Sequence, residues 1–319
     1  MSGELHGRVD AGSAAGTALS APLPAPFAAW FAARGWRLRR HQAEMLALGR
    51  EGTDALLVAP TGGGKTLGGF LPSLVELHAQ GSTSRLHTLY VSPLKALATD
   101  IARNLTRPVE EMGLSVRIET RTGDTPQNRR ARQRTHPPDL LLTTPESLAL
   151  LLSYDNAGDW FAGLRCVVLD ELHALAESKR GALFSLAVAR LRRLAPQARF
   201  VGLSATVAVP ARLQRYLSPR PEDVVVVQGD PGAEPEVALL LPEGEMPWAG
   251  HMAIYSARDV YRQIEQRRVT LVFVNTRAQA ELMFGALWRL NKANLPIGLH
   301  HGSLAVEQRR KVESAMAGG

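Results

Sequence analysis

Two short stretches of this sequence hold residue types whose spacing suits chemistry on a phosphate. Ala59 to Thr66 reads A-P-T-G-G-G-K-T and directly follows the apolar run Ala55 to Val58. An apolar run feeding a glycine-rich turn, then Lys-Thr and a helical stretch, is the layout of a phosphate-binding loop and predicts a nucleotide site. From Thr61 through Gly62, Gly63 and Gly64 the backbone can wrap closely enough for successive N–H groups to face phosphate oxygens. The helix start behind it adds partial positive charge. Lys65 would reach the β- and γ-phosphates, and Thr66 would offer its hydroxyl to Mg²⁺. The strict pattern begins with glycine where this chain has Ala59, and by itself the loop also reads as an ordinary strand-to-helix turn.

The second stretch is Leu164 to His173, L-R-C-V-V-L-D-E-L-H. Cys166 to Leu169 form the short, continuous apolar run of a strand buried on both faces of a parallel sheet. Ligands of open α/β sheets bind outside the carboxyl ends of the strands, which places Asp170 and Glu171 beside the phosphate loop. Asp170 would hold the Mg²⁺ shell, and Glu171 would orient and deprotonate an attacking water. A cap on the helix starting at Leu172 accounts for Asp170 alone, but not for the pair or its position.

The elements that must position these groups follow from the rest of the chain. At 319 residues, two domains are expected. Hydrophobic residues make up 45% and charged residues 21%, globular values that allow a sizeable core. The net charge of +7 suggests phosphate-bearing partners. The one cysteine, Cys166, excludes an internal disulfide, reads as a small buried hydrophobe and fits a reducing cytoplasm. Residues 1–26 are rich in Gly, Ala, Ser and Pro, resemble neither a signal peptide nor a membrane span, and read as a disordered tail.

Helical patterns start at Phe27 and at His41. Strands are expected at Ala55 to Val58, His87 to Ser92, Val116 to Thr120, Asp139 to Leu142, Cys166 to Leu169 and Phe200 to Leu203. Helical segments between them argue for an α/β fold, a doubly wound parallel sheet with one functional edge. The first domain is expected over 27–217, with a linker at 218–221. A second domain over 222–319 would open with strands at Val224 to Val227 and Val237 to Leu241, and contain a buried strand at Val269 to Val274. Gln42 carries the donor and acceptor that could read an adenine edge, or is an ordinary exposed helix glutamine. The basic run Arg129, Arg130, Arg132 and Arg134 is either a phosphate-binding or a solvated face. Thr143 and Thr144, at a strand end, suit nucleic-acid phosphates or serve as a helix cap.

In order, A-P-T-G-G-G-K-T, S-P-L-K-A-L, T-T-P-E-S-L, D-E-L-H, S-A-T and F-V-N-T-R resemble the signatures of superfamily 2 DExH-type helicases. The wording between them, such as Y-V-S-P-L-K-A-L-A-T-D, R-T-G-D-T and L-H-H-G-S-L, is similar to Lhr-type DNA helicases, most of all to the bacterial ligase-associated branch. The resemblance runs from about Phe27 to the last residue. It implies a RecA-like P-loop NTPase sheet followed by a truncated second RecA-like domain, with ATP and Mg²⁺ as cofactors.

The resemblance implies further roles. Gln42 matches the adenine-reading glutamine, Lys65 and Thr66 the phosphate lysine and Mg²⁺ hydroxyl, and Asp170 and Glu171 the metal-holding and water-activating carboxylates. Ser204 and Thr206 match the motif that couples hydrolysis to domain movement. Lys95, Thr143, Thr144, Thr276 and Arg277 fall in motifs that touch the nucleic-acid backbone, and His301 with Gly302 resembles another. Three-prime to five-prime translocation on single-stranded DNA, unwinding of partial duplexes and a link to DNA repair are implied, with ligase or nuclease partners and no membrane. The family pattern continues with two more motifs, one carrying arginines for the γ-phosphate, so an N-terminal part of a longer helicase is expected. An ATP- and DNA-binding fragment with little turnover, and an RNA-dependent remodeller, are the alternatives.

Overall fold

The structure is a computed structural model that describes residues 23–81, 84–176, 180–205, 207, 209–232, 235–241 and 254–318. The chain divides into two units, Met1–Glu234 and Pro235–Gly319.

In the first unit the short apolar runs become strands β1 (Ala55–Val58), β2 (Thr88–Val91), β3 (Ile118–Arg121), β4 (Leu140–Thr143), β5 (Cys166–Leu169), β6 (Arg199–Ser204) and β7 (Val225–Gln228). They form one sheet in the order β3-β4-β2-β5-β6-β1-β7, with every neighbouring pair parallel. Ten helices accompany them among the described residues: α1 (Ala25–Ala33), α2 (Arg40–Glu51), α3 (Lys65–Gln80), α4 (Lys95–Glu111), α5 (Gln127–Thr135), α6 (Pro145–Leu152), α7 (Ala157–Phe161), α8 (Leu172–Ala176), α9 (Arg180–Leu194) and α10 (Pro210–Leu217). Because successive strand residues face opposite sides, each strand feeds two cores. Leu56, Val58, Val91, Val167 and Leu169 pack with Leu148, Phe161, Phe184, Leu191 and Leu213 of α6 to α10. Leu57, Tyr90, Leu142, Val168 and Leu203 pack with Met45, Phe70, Leu74, Ile101 and Leu105 of α2 to α4. A sheet covered on both faces accounts for the unbroken apolar runs, and the expected parallel α/β architecture is borne out.

The strand order positions the site. β6 lies between β1 and β5, with Val58 level with Ser204 and Leu169 level with Gly202. The loops after β1 and β5 therefore leave the same edge about 10 Å apart, at two strand spacings. On the far side of β5 the same edge carries the ends of β2, β4 and β3. No described helix is long and apolar enough to cross a membrane.

Three expectations change. The tail expected over 1–26 falls largely outside the described residues, and Ala25 and Pro26 already belong to α1. The run at Val224 does not open a second domain: β7 pairs with β1, so the first unit continues past 218–221. The Val269–Val274 and Val237–Leu241 segments form no strand, and Phe273 is 88% exposed. Their apolar patterns match a strand, but a strand also needs a neighbour for its N–H and C=O groups, and neither segment pairs with a described residue. The second unit instead has α11 (Ala257–Glu265), α12 (Arg277–Leu290) and α13 (Val306–Gly318), with a small core around Tyr261, Met283 and Leu287.

Candidate active site

The loop after β1 is shaped by its glycines. Gly62 and Gly64 sit at φ +77° and +80°, in the left-handed region that disfavours side chains, and Gly63 N–H donates to the Pro60 carbonyl at 2.9 Å. α3 starts at Lys65, so its free N–H groups face the loop. Lys65 is only 9% exposed, and its Nζ has no hydrogen-bond partner among the described residues. An unpaired buried ammonium is costly, and a phosphate is the natural group to relieve it. Ala59, the departure from the strict loop pattern, packs its Cβ against Gly229, where an added Cβ would overlap it. The residue following β7 thus makes room for the alanine.

Gln42 is 3% exposed, which rules out the exposed-helix reading. Its Oε1 accepts from Arg39 N–H at 3.1 Å and its Nε2 donates to the Gly64 carbonyl at 3.3 Å, joining α2 to the loop. Beside them opens a cavity of about 990 Å³, lined by Gln42, Gly62, Gly64 and Thr66 together with Phe31, Trp36 and Arg39. Its mix of aromatic and polar lining is suited to a heterocyclic base.

Asp170 follows β5 and is 5% exposed. Its Oδ1 accepts from Glu171 N–H at 2.9 Å and its Oδ2 accepts from the Tyr90 hydroxyl. Burial pushes the Asp170 carboxyl above its ordinary value, against the opposing hydrogen bonds and the Lys65 charge. Burial, then the Asp170 charge, pushes the Tyr90 phenol far above its own, so it remains a donor. Glu171 has φ +47°, an unusual conformation for a glutamate and one that clusters at functional sites. Its Oε2 lies 3.3 Å from His173 Nε2, while His173 Nδ1 lies 2.8 Å from Ser204 Oγ. Because a carboxylate only accepts, the proton belongs on Nε2, leaving Nδ1 to accept from the serine. The Glu171–His173–Ser204 chain thus spans β5 and β6. Sequence reading named the outer two; His173 stood inside D-E-L-H without a role, and Tyr90 looked like one more strand residue.

The described residues contain no group of three or more His, Cys, Asp or Glu side chains able to hold a metal. The set here, one hydroxyl and a buried carboxylate beside a phosphate cradle, fits Mg²⁺, which keeps waters and takes remaining ligands from nucleotide phosphates.

The candidate nucleic-acid contacts divide. Lys95 opens α4, is exposed and pairs with Asp124 at 2.9 Å. Thr143 is fully buried and its hydroxyl donates to the Arg121 carbonyl at the end of β3 at 2.7 Å. Thr144 is also buried, precedes α6 and donates to Ser147 Oγ at 3.3 Å. In the second unit Thr276 caps α12, Arg277 reaches Ser303 Oγ at 2.5 Å, and His301 Nε2 meets Glu281 at 3.0 Å. Ser303 N–H also approaches His301 Nδ1 at 3.3 Å, which brings Arg277 and His301 into one patch beside Gly302. Each arginine of the run has a partner within the chain, although Arg129 and Arg132 stay exposed: Arg130 donates to the Thr122 and Gly123 carbonyls, Arg129 and Arg132 pair with Glu119, and Arg134 stacks on Tyr154. Thr206 lies outside the described residues.

The chain is similar to known proteins. The chain is 34% identical to the ATP-dependent helicase Lhr-Core of Methanocaldococcus jannaschii, over 84% of this chain and 33% of that protein. It is 32% identical to the Lhr helicase/uracil glycosylase of Escherichia coli, over 90% of this chain and 23% of that protein. The chain therefore spans a third or less of the length of these two relatives. Among solved structures, Mycobacterium smegmatis helicase Lhr bound to ssDNA and AMP-PNP superposes with a TM-score of 0.78 at 33% identity, over 93% of this chain and 40% of that one. The DEAD/DEAH box helicase pattern matches residues 39–213, which run from the residue before α2 into α10 and enclose the phosphate loop, the carboxylate pair and Ser204. On that match, over more than half its length, the chain belongs to the DEAD/DEAH box helicase family.

Proposed function

We propose that this chain carries the ATP-hydrolysing machinery of a DNA helicase that translocates on single-stranded DNA. The observation that carries the reading is the buried Lys65 ammonium at the head of α3, without a hydrogen-bond partner among the described residues and on the same sheet edge as Asp170 and Glu171. Lys65 draws the β- and γ-phosphates of ATP into the loop, where the N–H groups of α3 complete the cradle. Thr66 and Asp170 would hold Mg²⁺, which when bound neutralises phosphate charge and polarises the transferring group. Glu171 orients the attacking water and takes its proton. His173 keeps Glu171 in register with Ser204, so a change at the carboxylate is felt at the end of β6. Gln42, released from Gly64, reads the adenine edge in the adjoining cavity.

The DNA part of the reading is supported by exposed Lys95 beside the carboxyl edge, by the Arg277–His301 patch and by the ssDNA-bound Lhr helicase among the similar structures. By resemblance we assign three-prime to five-prime movement and a part in DNA repair to the whole protein. The test is steady-state ATP hydrolysis with single-stranded DNA, with matched RNA and with neither, using Glu171→Gln as the blank. Turnover raised by DNA more than by RNA is the expected result. Stimulation by RNA alone would favour the RNA-dependent alternative, and nucleotide binding without turnover would reduce the reading to a nucleotide-gated clamp. Absence of nucleotide binding would overturn it.

A further inference from the structure

Tyr90 occupies a position where its strand asks only for an apolar side chain. It is fully buried in β2, on the face shared with α3 and α4. Its neighbour across the β2–β5 pair is Val168, two residues before Asp170, so the ring can extend diagonally toward the carboxyl edge. There the hydroxyl donates to Asp170 Oδ2 while Glu171 N–H holds Oδ1, so each carboxylate oxygen has one fixed partner. The ring also packs on Phe70 of α3, with centroids 5.2 Å apart. One side chain thus touches both the carboxylate after β5 and the helix that begins with Lys65 and Thr66. A phenylalanine would fill the same core but leave Oδ2 without this donor, and a hydrogen bond to a charged group is among the stronger ones.

We propose that Tyr90 is a positioning residue for the magnesium site: its hydroxyl fixes the Asp170 carboxylate in the orientation that receives the hydrated ion, and its ring ties that carboxylate to the phosphate-loop helix. This rests on the nucleotide-site reading above. The two ends of the proposed ion site lie on separate elements, Thr66 on α3 and Asp170 after β5, and Tyr90 supplies a direct side-chain link between those elements. Both oxygens of Asp170 keep lone pairs for waters of the ion, since each is used once.

The experiment is equilibrium binding of a fluorescent ATP analogue to the 319-residue chain across a magnesium series and in EDTA, for the parent and Tyr90→Phe. The expected result is metal-free affinity within about twofold of the parent, with a magnesium midpoint raised about tenfold, the order set by losing one hydrogen bond to a charged group. In an Asp170→Asn background, Tyr90→Phe is expected to add no further shift, because the tyrosine acts through that carboxylate. A parent that binds no nucleotide overturns the site reading and this inference with it. A parent that binds, with an unchanged midpoint in Tyr90→Phe, overturns this inference alone. Equal losses with and without magnesium, a Tyr90→Phe chain that no longer folds, or an additive shift in the Asp170→Asn background, would make Tyr90 a merely structural residue and overturn it as well.

Discussion

Lys65 separates a nucleotide site from a well-packed turn. Its ammonium is buried without a hydrogen-bond partner among the described residues, an arrangement that costs stability unless a ligand supplies an acceptor. Lys65→Ala should therefore weaken binding of an ATP analogue roughly tenfold to a hundredfold, while stabilising the nucleotide-free chain by about 1 kcal/mol or more. Fluorescence titration and urea melts check the two halves, and tight binding by the variant would overturn the assignment. Glu171→Gln keeps the shape but removes the base, so binding should persist while turnover falls by roughly two to four orders of magnitude in single-turnover assays. Gln42 shows what a residue alone conceals: its amide is buried against Gly64 rather than displayed on a helix face.

Contacts between elements hold the loop and the sheet in register. The segment after β7 passes so close to Ala59 that only glycine fits at 229. Gly229→Ala should destabilise the chain by about 1–3 kcal/mol by overpacking and loosen nucleotide binding, and Ala59→Gly in the same chain should restore both. Thermal melts of the two variants measure the rescue; its failure would mean the segment does not brace the loop. At the opposite, amino end of the sheet, Glu76 of α3 pairs with buried Arg199 of β6 at 2.7 Å and lies 3.3 Å from His87. Burial by itself would raise the Glu76 carboxyl, but the adjacent His87 and the Arg199 charge outweigh it and hold it below its ordinary 4.5. An acid depressed in the folded state contributes stability above its unfolded value and loses it as pH falls through the folded one. Urea midpoints should thus fall as pH drops below about 4.5. Glu76→Gln, which strands Arg199, should cost about 3 kcal/mol at neutral pH and flatten that acid limb. An unchanged limb would remove Glu76 as its cause.

Across the whole first unit, one sheet edge is proposed to serve two tasks. The ends of β5, β6 and β1 gather the proposed nucleotide groups, while β2 leads from Tyr90 to Lys95 through the strand next to β5. A net charge of +7 supports electrostatic attraction to nucleic acid, but the arginines of α5 face Glu119, Tyr154 and backbone carbonyls. Affinity for a single-stranded oligonucleotide should fall with salt at a log–log slope of roughly −0.7 for each phosphate contacted. Arg132→Ala should leave that slope unchanged, whereas Lys95→Ala should reduce it; fluorescence anisotropy over a salt series tests both. A slope changed by Arg132 and not by Lys95 would reverse the assignment of the basic surface.

Short-range patterns in the sequence suffice to read the local elements of the first unit and to nominate its chemistry. A glycine-rich turn before Lys-Thr, two carboxylates after an apolar run and six such runs in order are short-range patterns, and each became the loop or strand its spacing demands. The tertiary structure alone decided which partners those residues take. Strand order set Ser204 between the loop and the carboxylates, and pairing with β1 drew β7 into the first unit. It also committed the Thr143 hydroxyl to a carbonyl and the Tyr90 hydroxyl to Asp170. These outcomes depend on residues 22 to 170 positions apart in the chain. Hydrogen-bond partners and burial are properties of the packed molecule, so periodicity along the chain carries no record of them. The same reason explains Val269–Val274, where an apolar run had the composition of a strand but no described neighbour to pair with.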